Sequence, residues 1–464
     1  MMRYTAHDFA AWTGGRWDAL PEGPVSGVSK DTRSLHCGEL YFALRGENFD
    51  GHTFVDDALD RGAAGAVVRE DWHPGTGAGP RPLLRVRDPL TALQEAGRRY
   101  RRRAGAKIIA VTGSAGKSTI KEMISQILER SAPTAKTHGN YNNSIGLPVS
   151  LLSMPPDSRF GVFEMGSNHP GEIRALCGLL EPDWGMVTNV GPVHVEFFGT
   201  IDAIVAEKRD LLRFLPAEGR AFLNSDEACH AQLRDGVRAR VVTVSFNTEA
   251  DYRVVGAGPG GGVFEVQEAS GGMERLELKV PGRHNLANAL LAVAVARQLE
   301  IPWGTIRDGL RQFVPLPMRW QEEYVGGLWI VNDAYNANPM SMRAAIKTFT
   351  DRQWDGRKWL VLGAMRELGE MSDREHREVG RFAARFDWGG LVVVGAEAKL
   401  FAEGARDGGM LSDRIHVCAT AEEAAEILAQ NVGAHDAVFF KASRGVRLEQ
   451  TVKLFRCRME DMAA

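Results

Sequence analysis

The 464-residue chain has few cysteines, no long apolar run and almost no net charge, and each shortage excludes a class of protein. Its five cysteines (Cys37, Cys177, Cys229, Cys418 and Cys457) are widely scattered, with no Cys-x-x-Cys pair. That usage fits a reducing compartment and argues against a disulfide framework or a zinc site. The N-terminal stretch MMRYTAHDFAAWTGG lacks the apolar core of a signal peptide. The most apolar helical segment, LANALLAVAVA (286–296), contains Asn288 and is too short to span a bilayer. A cytoplasmic protein without membrane insertion is expected. A formal charge of −3 gives no sign of a nucleic-acid partner. The one dense basic cluster, RRYRRR (98–103), reads as a solvated helix end beside a domain boundary rather than an anion site.

What is present is ordinary globular material, 44% hydrophobic and 25% charged, with no internal repeat or low-complexity tract. The length suggests about three domains. Between about 25 and 95, strand-like LYFALRG, AGAVV and LLRV alternate with helix-like HTFVDDALDRGA and TALQEAGRRY. The alternation restarts at 107 with FGVFEMG, WGMVTNV and RAFLNS as strands, and a glycine-rich insert (254–280) reads as β-hairpins. A third section opens near Pro317, where LWIVNDAY, KWLVLGAM, LVVVGA and AVFFKAS are short apolar runs ending at polar residues. Such runs suggest a parallel sheet with chemistry at the strands' C-terminal ends.

The stretch AVTGSAGKSTIKEMISQILER (110–130) is built to hold phosphate. A buried strand, KIIAV, precedes it, and Ile120, Met123, Ile124, Ile127 and Leu128 form one apolar helix stripe after it. Gly113 and Gly116 let the backbone approach an anion, and the helix start offers free N–H groups and a positive dipole end. Lys117 adds a mobile charge, and the Ser118 hydroxyl can ligate Mg²⁺. The usual spacing would put glycine at Val111, so the loop is a variant that indicates nucleotide binding without naming a reaction.

Glu164 follows the apolar run RFGVF, where a carboxylate beside a phosphate loop is a natural Mg²⁺ ligand. In NVGPVHVEFFGTIDAIVAEKRDLLRFL (189–215), Ile204, Val205, Leu211, Leu212 and Leu215 form a helix stripe, and Lys208 lies on it. Desolvation there favours a neutral amine, which can take up CO₂ as a carbamate and become a metal-binding carboxylate. The alternative is a lysine that snorkels to solvent. His194, on the preceding loop, is a second ligand or orienter, or simply structural. Asn285 and Asn288 share a helix face, and their amides can read a base edge or bridge to phosphate. Asp333, at a strand end, is a plausible acceptor for ribose or water hydroxyls. Asn336, Asn338 and Pro339 also read as a turn.

TGSAGKST, Glu164, His194, Lys208, HNLAN (284–288), Arg319 and DAYNANPMSM (333–342) occur in the order found in the Mur ligases, and the chain resembles that family almost end to end. These are ATP-dependent amide-forming enzymes of peptidoglycan precursor synthesis. Within the family, SKDTRSLHCGELYFALRGENFDGHTF (29–54), GNYNNSIGLPVSLL (139–152) and LGAMRELGEMSDREHREVG (362–380) resemble the member that adds D-alanyl-D-alanine to a UDP-N-acetylmuramoyl-tripeptide. The resemblance implies an α/β fold of three domains. They are a small UDP-sugar-binding domain (1–104), a central P-loop-type ATPase domain with a parallel sheet (105–316) and a Rossmann-like C-terminal ligase domain (317–464).

It also implies roles. Gly113, Ser114, Ala115, Gly116, Lys117, Ser118 and Thr119 would cradle ATP, with Asn285 and Asn288 near the adenine, Arg319 at the γ-phosphate and Asp333 at the ribose; Asn336 would also bind ATP. Ser118, Glu164, His194 and carbamylated Lys208 would hold Mg²⁺. Ser29, Thr32, Arg33 and Phe42 would contact uridine diphosphate, and Asn140, Asn142 and Asn143 the muramoyl peptide. Lys441, Ser443 and Arg444 would bind the dipeptide carboxylate. Two departures bear on acceptor choice alone. Gly363-Ala364-Met365 stands where close relatives usually have Gly-Asp-Met, and Lys441-Ala442-Ser443-Arg444 where they usually have Lys-Gly-Ser-Arg. The protein is expected to act as a monomer. The competing readings are a related ligase with another acceptor, such as a folylpolyglutamate-synthetase-like enzyme, and a nucleotide-binding switch that ligates nothing.

Overall fold

Each apolar run read above as a strand contributes one: the sheets contain Glu39–Phe42, Gly65–Arg69, Leu83–Val86, Lys107–Thr112, Phe160–Glu164, Trp184–Val187, Arg220–Asn224, Leu328–Asn332, Lys358–Gly363, Gly390–Val394 and Ala437–Lys441. The computed structural model describes residues 4–73, 81–258 and 262–463. They form three sheets. The first holds five strands between Arg16 and Val86, parallel except for the edge strand Arg16–Trp17. The third holds six strands between Gln321 and Lys441, parallel except for the edge strand Gln321–Val325.

The second sheet has nine strands. Its middle is parallel, with Lys107–Thr112 between Phe160–Glu164 and Trp184–Val187. One edge carries antiparallel strands beside the expected parallel ones. Tyr252–Ala257, Val263–Glu268 and Met273–Glu277 pair antiparallel and extend the same sheet. These are the hairpins expected of the glycine-rich insert, whose residues 259–261 lie outside the described ones. The hairpins join this sheet because their inward residues, Val254, Phe264, Val266 and Leu276, complete its core.

Local signals set the helix starts. Asp88 caps Pro89–Ala104 by accepting from the Thr91 N–H, with Pro89 in the first turn and left-handed Gly105 closing the end. Asn338 and Ser341 form a reciprocal capping box at Pro339–Asp351. Thr200 caps Ile201–Phe214. The apolar helix Arg283–Gln298 is buried almost all round, against Lys117–Leu128 and the second sheet. One apolar cluster runs from Val111 and Ile124 through Leu290 to Ile346 and Phe439, so the second and third sheets share a continuous interior. The arginine run is structural: Arg101 donates to Leu180 O and Glu181 O, and Arg103 pairs with Asp8.

Candidate active site

The glycine loop is held open by the segment that follows the neighbouring strand. Ser114 N donates to Asn189 O at 3.0 Å, Ala115 N to Asn189 Oδ1 at 2.9 Å, and Thr188 Oγ1 to Ala115 O at 2.6 Å. Gly113 has φ +145, and a Cβ there would lie 2.0 Å from Thr188 Oγ1. Gly116, at φ +79, is the left-handed N-cap of the helix that starts at Lys117. The first N–H groups of that helix have no intrahelical partner and point into the cleft. Sequence reasoning found the glycines but not Thr188 and Asn189, whose only signal was a polar pair directly after a strand.

Three chain segments meet at Ser118. Its hydroxyl donates to Glu164 Oε2 at 2.7 Å and accepts from Arg319 at 3.1 Å. Asn142 Nδ2 donates to the other Glu164 oxygen at 2.8 Å, and the Glu164 backbone N–H donates to Thr137 Oγ1 at 2.7 Å. Glu164 is therefore oriented on both oxygens. The Arg319 guanidinium lies over the Tyr335 ring, 4.4 Å from its centroid. Its neighbours Met318 and Trp320 both hold left-handed backbone, at φ 58 and 53, so strained chain delivers this arginine to the cleft.

The Lys117 amine donates to Gly113 O at 2.8 Å. Part of its stem faces the cleft, but burial of the amine pushes its pKa down; Glu164 opposes this and Arg319 adds to it. Lys208 is 1% exposed, which rules out snorkelling, and its amine donates to Ser167 Oγ at 2.6 Å. Burial, reinforced by the charge of Lys117, lowers its pKa to about 7. It stands behind Ser167 rather than in the cleft wall itself. His194, in left-handed backbone at φ 52, places Nδ1 2.5 Å from Glu367 Oε2, close as an ion pair but not aligned as a full hydrogen bond. Burial holds the pKa of this histidine down; Glu367 opposes that, and Lys117 and Lys208 add to it.

Lys117, Ser118, Glu164 and His194 line one cleft of about 530 Å³. Asn140, Asn142, Asn143, Asn285, Asn288, Arg319, Asp333 and Asn336 line it too. Asn288 packs against Gly116, where a Cβ would meet its amide at 2.8 Å, while Asn285 donates to Pro281 O at 2.7 Å. Among the described residues, no group of three or more His, Cys, Asp and Glu stands ready to hold a metal. The donors at Ser118 and Glu164 instead suit a hard cation that keeps its waters and shares phosphate oxygens.

Of the other expected contacts, Lys441 lines the same cleft, whereas Ser29, Thr32, Arg33, Phe42, Ser443 and Arg444 lie outside it. Phe42 is fully buried, packed edge-on against Phe9, so only its backbone and the residues after it can meet a ligand. Ser29 Oγ donates to Asp31 O, Thr32 is buried, and Arg33 pairs with Asp31 at 2.6 Å. The Lys441 amine is 2.5 Å from Asp333 Oδ2 and donates to Asn336 O at 3.1 Å, so it braces the strand ends. Ser443 Oγ donates to Ala337 O and accepts from Arg366 N, which likewise makes it a brace. Arg444 is exposed and donates to Glu449 Oε1 at 2.8 Å.

A phosphate loop whose serine is shared between a carboxylate of its own sheet and an arginine of a second α/β unit defines a nucleotide-binding protein closed by two modules. Family models agree with that class. Residues 24–101 match the Mur ligase family catalytic domain, 111–296 the Mur ligase middle domain and 318–444 the Mur ligase glutamate ligase domain. The chain belongs to the Mur ligase family. It is 34% identical over 433 residues to the UDP-N-acetylmuramoyl-tripeptide–D-alanyl-D-alanine ligase of Bacillus subtilis (strain 168), covering 92% of this chain and 93% of that one. Its structure resembles that of MurF from Acinetobacter baumannii, with a TM-score of 0.87, 30% identity and 98% of each chain covered. It also resembles the MurF ligase of Thermotoga maritima in complex with ADP, with a TM-score of 0.81, 27% identity, and 94% and 98% covered.

Proposed function

We propose that the protein is the ATP-dependent ligase that joins D-alanyl-D-alanine to UDP-N-acetylmuramoyl-tripeptide, releasing ADP and phosphate. The observation that carries this reading is the junction at Ser118, where Glu164 and Arg319 meet beside the phosphate loop. A carboxylate is a poor acyl donor. In this reading a carboxylate oxygen of the tripeptide attacks the γ-phosphorus, and the bond to the ADP oxygen breaks. The dipeptide amine then adds to the acyl phosphate, loses a proton and expels phosphate.

The burden on the protein is positioning and charge neutralisation. Lys117 and the helix N–H groups hold the phosphates, and Arg319 meets charge on the transferring group. Ser118 and Glu164 would hold one Mg²⁺; carbamylated Lys208 and His194 would complete a second site. Bound there, Mg²⁺ would supply positive charge against the charge of the transferring phosphoryl group. Lys208 fits the carbamate requirement, because a pKa of about 7 leaves a substantial neutral fraction at neutral pH. Asn142, tied to Glu164, would meet the muramoyl peptide, and Asn285 and Asn288 the adenine. The units 1–104, 105–316 and 317–464 would bind UDP-sugar, bind ATP and complete ligation. Arg444 is the candidate among 441–444 with an exposed guanidinium for the dipeptide carboxylate. A monomer working in the cytoplasm is the simplest setting; no helix of the described residues is long and apolar enough to cross a membrane.

The test is one assay: ATP, Mg²⁺ and UDP-muramoyl tripeptide with either D-alanyl-D-alanine or single amino acids, followed by ADP release and product mass. A product heavier by one dipeptide residue is expected. Turnover with a single amino acid and none with the dipeptide overturns the acceptor assignment, and ADP release without product overturns ligation.

A further inference from the structure

The proposed roles leave Glu367 without one, although it makes an ion-pair contact with a cleft residue across two modules. It lies after the third-sheet strand Lys358–Gly363, whereas His194 follows the second-sheet strand Trp184–Val187. Both residues hold left-handed backbone, at φ 61 and 52, a strained conformation that a non-glycine residue keeps only where its surroundings enforce it. The surroundings do. Leu368 is buried, Met371 packs on the cluster of Val195, Phe198 and Ile204, and a Cβ at Gly369 would come within 3.1 Å of Glu196 Cα. On its other side the segment is pinned by His376 Nε2, which accepts from Met365 N at 3.0 Å. The carboxylate is thus delivered by a segment fixed at both ends.

We infer that Glu367 is a positioning residue: it fixes the proton of His194 on Nδ1 and leaves Nε2 free to bind a cation in the cleft, but only while the third module is docked. At 2.5 Å the carboxylate charge bears directly on Nδ1 even though the contact lies off the hydrogen-bond axis, and it favours the neutral ring that carries its proton on Nδ1. A carboxylate behind a histidine ligand also raises its basicity and fixes its orientation. Because carboxylate and imidazole sit on different modules, separating the modules removes the constraint. Docking and readiness for the cation are therefore one event. The inference rests on the proposed placement of His194 at the metal–phosphate site.

The test uses the full chain labelled with ¹⁵N-histidine, with His194→Asn serving only to assign the His194 signals. In the wild type the His194 nitrogens are expected to show the Nδ1–H tautomer. In Glu367→Ala they are expected to shift towards the Nε2–H form. The Mg²⁺ concentration at half-maximal binding of a non-hydrolysable ATP analogue should rise about tenfold or more. Glu367→Gln, which keeps the shape and an acceptor oxygen, should hold the tautomer and lose only part of the Mg²⁺ effect; it also serves if the alanine variant folds poorly. An unchanged tautomer in Glu367→Ala, or a shifted tautomer with an Mg²⁺ midpoint within twofold of wild type, overturns the inference. The tautomer is read without substrates, so failure of the wild type to ligate would count against the proposed function and not against this role.

Discussion

The Lys208 amine donates to Ser167 Oγ at 2.6 Å in a site from which water is almost entirely excluded. A serine hydroxyl is a neutral partner and cannot compensate a buried cation, and among the charges acting on the amine the largest effect is that of another lysine, Lys117, with Glu207 and Glu172 opposing it. The pair therefore favours loss of the proton, the state from which a carbamate forms.

Activity should follow that chemistry. Lys208→Ala is expected to abolish ligation, and high bicarbonate should not restore it, because no amine remains. Acetate or another small carboxylate should restore part of the rate by filling the vacated space with the missing charge. Unimpaired ligation by Lys208→Ala would remove the carbamate from the mechanism.

Stability should report the same amine. The folded pKa of about 7 lies below the ordinary value of 10.5, so between those values the unfolded chain binds the extra proton. In bicarbonate-free, metal-free buffer the contribution of Lys208 to stability should rise with pH from about 7 to about 10.5, with a slope of at most about 1.4 kcal/mol per pH unit. Subtracting denaturant curves of Lys208→Met from those of the wild type isolates the effect, and a difference that is flat across this window contradicts it.

Gly113→Ala tests the loop. The new methyl would collide with Thr188 Oγ1 and force a backbone conformation that L side chains avoid. A loss of about 2–4 kcal/mol is expected from strain and overpacking together. Nucleotide binding, followed by calorimetry, should vanish with it. Binding retained at wild-type affinity would mean that the loop can re-form around the methyl.

Arg319→Lys keeps the charge but loses the stack on Tyr335 and the forked donor that reaches Ser118. Its kcat should fall about 10²–10³-fold while the KM for ATP changes by only a few-fold, the pattern of an interaction made in the transition state. A change in KM alone would assign Arg319 to ground-state binding.

Lys441→Met should destabilise the third module by about 3 kcal/mol, because it leaves the Asp333 carboxylate beside a largely buried gap. Adding Asp333→Asn to it should recover part of the loss in thermal or denaturant unfolding. A double variant as unstable as the sum of the singles would show that the two side chains do not depend on each other.

The sequence by itself determined the local pieces: the glycine loop and its helix stripe, the hairpins of the glycine-rich insert, and Lys208 among apolar neighbours. Each depends on residues a few positions apart, where spacing already specifies which groups share a face. Only the tertiary structure decided which pieces meet. Glu164 finds Ser118 across 46 positions, Arg319 across 201, and Asp333 engages Lys441 across 108. It also turned Phe42 into core and Ser443 into a brace, though both sit in stretches that looked like binding sites. The reason is physical: a side chain's type shows what it can bond, whereas its partner is fixed by sheet order and by the docking of one module on another, which no local spacing encodes.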